Sequence, residues 1–417
     1  MTTAAAALGS PELARTLQRV ESRRRFVAIA LTLPLLLFLL ATFLVPIGAL
    51  LVRAIENPEV AASLGRTGQA LASWDRRSEP PAAAFAAVAA DLAALDEGAQ
   101  AGALARRLNT EAAGARSLIM STYRATQADL KPAGQTPEQV REAMLALDAR
   151  WADLKYWNAI AKNASRWTPD YLLTAVDLKR GVDGGIEKVA PDQAVFGAIL
   201  LRTFNISAIV TLCCLLLGYP LAYWLSTLSA RQANVLMILV LVPFWTSILV
   251  RVAAWIVLLQ REGLVNKALL SLNVIAEPLT LLFNRTGVII SMTHILLPFM
   301  ILPLYSVMKS VPPTYLRAAV SLGSPPLSAF FRVYVPQTYP GIGAGALLVF
   351  ILSIGYYVTP ALLGGADDQM LSYYIAQYTN VDVNWGMACA LGAVLLGATL
   401  ILYAVYRRVV KSELSLG

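Results

Sequence analysis

Charge is scarce in this chain: only 14% of its 417 residues are Asp, Glu, Lys or Arg, against roughly 25% in a soluble domain. With 57% of the residues hydrophobic, a purely soluble protein is excluded. Cysteine and histidine are scarcer still, at three and one. Cys213, Cys214 and Cys389 all fall in long apolar runs, without disulfide or metal-ligand spacing. They read as small apolar packing residues, and neither a metal nor a cofactor is expected. No GxxxxGK[ST] phosphate loop occurs, so any ATP used must be bound by another chain. No Asp or Glu lies inside a long apolar run. A carrier driven by protons or sodium generally needs intramembrane carboxylates or unwound ion sites, so their lack favours a pathway powered from outside. An internal repeat relating the two halves, common in secondary carriers, is also missing.

What is present is a set of apolar runs of spanning length, about 20 residues for a 30 Å hydrocarbon core. They fall near 26–52, 197–228, 234–259, 286–308, 340–363 and 386–406. Most are interrupted by Gly or Pro, which spanning helices tolerate. Arg23, Arg24 and Arg25 precede the first run as in a signal sequence, but the run is too long for a signal core and lacks a small-residue cleavage pattern. A retained first helix is expected. Lys and Arg set the orientation. Arg15, Arg19 and Arg23 to Arg25 in the tail, then Arg231, then Lys309, Arg317 and Arg332, then Arg407, Arg408 and Lys411, share one side, the cytoplasm. The short loops opposite are mixed or acidic, with Arg261, Glu262, Lys267 and Glu277, then Asp367, Asp368 and Asp382. The net charge of +8 is therefore mostly a topology signal, and no nucleic-acid partner is expected.

The expected organisation is a cytoplasmic tail (1–25), a first transmembrane helix (26–55), a periplasmic helical insert (56–195) and a five-helix core (196–417). The insert is Ala-rich and broken by Pro80-Pro81, Pro132, Pro137, Pro169 and Gly184-Gly185. Between the breaks, Phe85, Val88, Leu92 and Leu95, then Val140, Met144, Leu147, Trp151 and Leu154, recur at helical spacing. About four helices are expected. The mostly Ala face of 82–105 leaves that part either helical or poorly ordered. The insert has no His, no Cys and no nucleophile–base pair, so catalysis there is not expected. One span followed by an outer helical domain also opens membrane receptors, but five further spans argue against a sensor.

The most informative stretch is the polar loop 309–339. Pro312-Pro313 opens it, and 315–322 reads as a helical turn. Gly323 takes the left-handed conformation that ends a helix, and Pro325-Pro326 blocks continuation. A second short helix carries Leu327, Phe330, Phe331 and Tyr334 to Pro336. Ala318, Ala319, Gly323, Val333, Val335 and Pro336 fall in a spacing that resembles the EAA loop of the permease subunits of bacterial ABC importers. The family's leading Glu is Arg317 here. The resemblance implies that Arg317, Ala318, Ala319, Gly323, Val333 and Pro336 belong to a coupling helix seated in a groove of a cytoplasmic ATPase.

A broader resemblance covers about half the chain. Gly218 to Trp224, Pro243 to Arg251, Leu297 to Leu304 and Val358 to Gly365 resemble the permeases of spermidine/putrescine-type importers. The implied fold is all-α, a polytopic membrane protein of about six transmembrane helices with a MetI-like permease core. The implied location is the bacterial inner membrane, with both termini cytoplasmic. The implied partners are a cytoplasmic ABC ATPase dimer, a second permease subunit, a periplasmic solute-binding protein and membrane lipid. The chain itself would not be an enzyme. Polyamine is the solute at family level. Trp245, Trp255, Tyr356 and Tyr357 offer aromatic faces to a pathway or simply pack. Arg251 is either a pathway residue or a snorkelling one. His294 reads as a neutral, hydrogen-bonded interior residue.

Overall fold

The computed structural model describes residues 11–128, 130, 134–181 and 184–414. The first ten residues of the expected tail, Pro132, and the side chains of Arg15, Arg19, Arg25 and Lys411 lie outside the described residues. The chain divides into two compact units, Met1–Arg53 and Ala54–Gly417.

In the first unit the part of the tail that is described is already helical. Helix α1 (Pro11–Leu39) passes through Pro34, continues as a π turn (Leu40–Leu44) and resumes as α2 (Val45–Arg53). Pro46, the second residue of α2, has no N–H to give the Thr42 carbonyl, and the π turn falls where that bond is lost. Phe26 and Leu31 are 71% and 76% exposed, as a helix would be whose solvent is lipid.

The second unit opens with the insert. It holds α3 (Pro58–Ser63), α4 (Gly65–Ala70), α5 (Ala82–Ala93), α6 (Gly98–Asn109), α7 (Ala115–Ala128), α8 (Pro137–Leu147), α9 (Leu154–Asn163) and α10 (Asp170–Thr174). A small antiparallel hairpin follows, β1 (Leu178–Arg180) and β2 (Ile186–Lys188), with Lys179 opposite Glu187. That is twice the expected number of helices, and the hairpin was not expected. The segment 82–105 is ordered and central: Ala84, Phe85, Val88, Leu92, Ala101 and Leu104 are buried in one cluster. Alanine makes a thin helix face, and thin faces let neighbours approach until the larger residues interlock. Phe85 meets Trp157 at 4.5 Å between ring centroids, and Trp157 meets Trp151 at 5.2 Å. Both indoles are satisfied, Trp151 Nε1 donating to Thr122 Oγ1 (3.0 Å) and Trp157 Nε1 to the Trp151 carbonyl (2.8 Å). Each such aromatic pair adds about 0.5–1.5 kcal/mol beyond area burial.

Polar clamps join the insert to the core. Asp177, at φ 58°, accepts from the backbone N–H groups of Val195 (3.0 Å), Phe196 (3.0 Å) and Gly197 (2.6 Å). These are donors that α11 (Phe196–Thr227) would otherwise leave unmet. Tyr171 lies so close to Gly386 that any Cβ there would sit 2.4 Å from its ring.

The core continues with α12 (Ala230–Leu241), a 3-10 turn (Val242–Trp245), α13 (Ile248–Leu259), α14 (Leu264–Ser271) and α15 (Arg285–Ser310). Next come α16 (Pro313–Ser321), α17 (Pro326–Ala329), a π turn (Phe330–Tyr334), α18 (Val335–Gln337) and α19 (Tyr339–Ile354). The chain finishes with α20 (Val358–Leu363), α21 (Leu371–Asn380) and α22 (Trp385–Leu414). Helix α15 is the hub between α11 and α19. Gly218 of α11 and Gly345 of α19 both face Met300, where an added Cβ would come within 3.2 and 2.8 Å of its side chain.

Among the described residues four helices are long and apolar enough to cross a membrane: Ser22–Arg53, Phe196–Thr227, Arg285–Ser310 and Trp385–Arg408. Two bent pairs raise the number to six if each is one span. The run 234–259, expected as a single span, is broken: Ala230–Trp245 and Ile248–Ser271 meet at 95°. Pro243 has no N–H to give the Leu239 carbonyl, and α12 gives way at Leu241 to the 3-10 turn Val242–Trp245. The run 340–363 is likewise not one helix. Helix α19 stops at Ile354 and α20 restarts at Val358, because Pro360 cannot donate to the Tyr356 carbonyl.

Candidate functional site

The loop between α15 and α19 forms a compact protrusion. Pro313 occupies the first turn of α16, where a missing N–H costs nothing. At the other end Gly323 has φ +92°. Its N–H donates to the Val320 carbonyl (3.0 Å), and the Ser324 N–H donates to the Ala319 carbonyl (3.1 Å). This pair of bonds is the Schellman arrangement, which needs a left-handed residue at the position of Gly323. No atom lies within 4 Å of where a Gly323 Cβ would stand, so the demand for glycine is conformational rather than steric.

The outer surface of the protrusion is apolar and open. Leu322 is 89% exposed, Leu327 72% and Phe331 59%. Arg317 and Ala318 are also exposed, while Ala319, Val333 and Pro336 are half-buried. The root is packed. Phe330 stacks on Tyr334 (5.4 Å, 17°), and Tyr223 of α11 stands edge-on to both at 5.1 and 5.2 Å. Tyr219 shares a 3.0 Å hydrogen bond with Thr338 Oγ1. Lys309 Nζ donates to the Ser226 (3.2 Å) and Leu228 (3.1 Å) carbonyls at the end of α11, a favourable place for a cation. The aromatic root went unread in the sequence. Its signal was there, in Tyr219/Tyr223 and Phe330/Tyr334, two pairs four residues apart and each on one helix face.

The expected pathway residues only partly converge. Arg251 is half-buried on α13 and its Nε has no hydrogen-bond partner. One turn on, Trp255 Nε1 donates to His294 Nδ1 of α15 (3.3 Å), with ring centroids 5.4 Å apart. His294 thus accepts through Nδ1, as a neutral ring does, but it is open on the surface of the isolated chain rather than interior. Arg251 lies within electrostatic range of both His294 and Tyr356. Tyr356 is half-buried between α19 and α20, its carbonyl accepting from Ser372 Oγ (2.8 Å). Trp245 and Tyr357 are 73% and 43% exposed and make no ring contact with this group among the described residues. The result is a cationic and aromatic patch of Arg251, Trp255, His294 and Tyr356.

Of the cysteines, Cys214 and Cys389 are buried and Cys213 is half-buried, none of them in a disulfide, and Cys214 Sγ faces the Thr293 carbonyl at 3.5 Å. Cys214 packs in the core cluster around α15.

Comparison with known proteins bears on residues 205–413, which match the family model described as binding-protein-dependent transport system inner membrane component. Over 221 residues, 52% of this chain and 80% of the relative, it is 37% identical to the spermidine/putrescine transport system permease protein PotB of Escherichia coli K12. It is 36% identical over 215 residues to PotB of Haemophilus influenzae, covering 51% of this chain and 75% of that one. The molybdenum transport system permease protein ModB of Mycobacterium bovis is 26% identical over 208 residues, covering 49% and 76%.

Proposed function

The chain belongs to the family of binding-protein-dependent transport system inner membrane components and is an ABC importer permease subunit of the inner membrane; we propose that it passes a polyamine or a related small organic cation. The likeness to PotB at 37% identity carries the solute class. A periplasmic binding protein would deliver the solute, and a second permease would complete the pathway. Hydrolysis of ATP would fall to a separate pair of ATPase subunits.

In this reading both termini are cytoplasmic, and the protrusion centred on Gly323 is the coupling element. Leu322, Leu327 and Phe331 supply the apolar surface that a groove on the ATPase would cover. The aromatic root around Phe330, Tyr334 and Tyr223 would pass a displacement of the protrusion to α11. The break between α12 and α13 and the gap between α19 and α20 supply places where the core bends during alternating access.

The test is uptake of radiolabelled spermidine and putrescine by cells with and without an intact copy of this chain. Loss of ATP-dependent uptake, restored by the gene, is expected. Equal uptake in both strains would overturn the solute assignment while leaving the family membership untouched.

A further inference from the structure

A cavity of about 560 Å³ lies where the insert meets the connection between α21 and α22, within the size of small-molecule sites, roughly 300–1,000 Å³. Its two walls differ in chemistry. The insert contributes Arg106 and Arg116, both exposed, together with the buried ring of Tyr171. The core contributes Asp382 and the rings of Tyr378 and Trp385. Neither arginine side chain nor the Asp382 carboxylate has an ion-pair partner among the described residues. The cavity's other charged residues are already engaged. Arg107 donates to Thr110, Glu111 and Asn163 and lies 4.7 Å above the Tyr171 ring, and Glu59 has a partner of its own.

A second observation marks the same place. Val383, on the core wall, has φ +51°. For a β-branched residue that is a strained conformation, and such strain concentrates at ligand clamps and switch segments. Nothing about the exposed side chain requires it, since Val383 is 51% open.

We infer that this cavity binds a small zwitterion, an amino-carboxylate whose anionic group is held by Arg106 and Arg116 and whose ammonium is held by Asp382 against Trp385 and Tyr378. Guanidinium groups match a carboxylate, and a carboxylate backed by aromatic faces matches an alkylammonium. A simple anion would leave Asp382 unanswered, and a simple cation would face two bare arginines. The ligand would reach from insert to core and so tie the two together. Its lining shares no residue with the coupling loop or the pathway patch, and its occupancy requires neither an ATPase nor a transported solute.

The test is calorimetric titration of the full chain in phosphatidylglycerol nanodiscs with 6-aminohexanoate, hexanoate and hexylamine. The ω-amino acid should bind at least about tenfold more tightly than either single-ended analogue. Its affinity should fall by about tenfold or more in the double variant Arg106→Gln/Arg116→Gln and again in Asp382→Asn. These side chains are exposed, so folding is not at issue. Equal affinity for hexylamine or hexanoate would overturn the zwitterion, and unchanged affinity in the variants would overturn the site. Absence of heat with the ω-amino acid would also overturn it. Loss of binding in discs containing phosphatidylethanolamine would name a lipid headgroup as occupant and overturn the soluble ligand. All of these outcomes are independent of whether spermidine is transported.

Discussion

Replacing Gly323 separates backbone conformation from side-chain size in the coupling loop. With φ at +92° and both Schellman bonds formed, an L-residue here bears the left-handed penalty of about 1–2 kcal/mol. A Cβ meets no atom within 4 Å, so that penalty is the whole local cost of Gly323→Ala. It corresponds to a drop of roughly 5–30-fold in the population that keeps the cap. If ATPase coupling requires the capped geometry, ATP-driven uptake per inserted subunit should fall by up to that factor in Gly323→Ala. It should fall further in Gly323→Val, whose β-branch is least tolerant of this region. Asn is the residue most often found in glycine's place at such caps, so Gly323→Asn should retain more uptake than Ala despite its greater bulk. The assay is uptake in proteoliposomes, normalised to the amount of reconstituted chain. Ala outperforming Asn would refute the reasoning, because it would mean that the partner surface limits size and the helix stop is incidental.

Two further outcomes concern the insert. Trp157→Ala removes a fully buried ring that touches both Phe85 and Trp151. A loss of about 3–5 kcal/mol is expected, read as a lower unfolding temperature of the purified chain, and an unchanged temperature would mean that the insert unfolds separately from what is monitored. The second outcome is a pH dependence centred on Glu111. Burial opposes its charge, but Lys162 at 2.9 Å and Arg107 at 3.3 Å outweigh that and hold its pKa below the ordinary 4.5. A depressed carboxylate stabilises the fold fully above its unfolded pKa, and that contribution disappears as pH falls through the lower folded value. Between pH 7 and pH 3 the wild type should therefore lose more thermal stability than Glu111→Gln. Parallel curves for the two would show that the Lys162–Glu111–Arg107 cluster contributes nothing.

The sequence by itself determined the class of molecule and the shape of one loop. Apolar runs of spanning length without carboxylates leave a chain few choices but helices in lipid, because unpaired backbone groups are intolerable there. Gly323 between α16 and Pro325-Pro326 specified a helix stop through local backbone sterics alone, and the structure has that stop. Other features depended on groups far apart in the chain. Whether the alanine-rich helix at 82–93 is ordered was undecidable from its own residues. It is ordered because Trp151 and Trp157, some 70 positions later, fill the space its thin face leaves. The break at Pro243 was marked by a proline, yet its 95° angle depends on what the two halves pack against. Hydropathy counts residues and carries no direction. Long-range placement likewise decided that Asp177 caps α11, that Tyr171 requires Gly386, and that Arg106 and Asp382 face one cavity. Each joins the insert to the core, and contact between segments so distant is settled by tertiary packing, which local propensity does not encode.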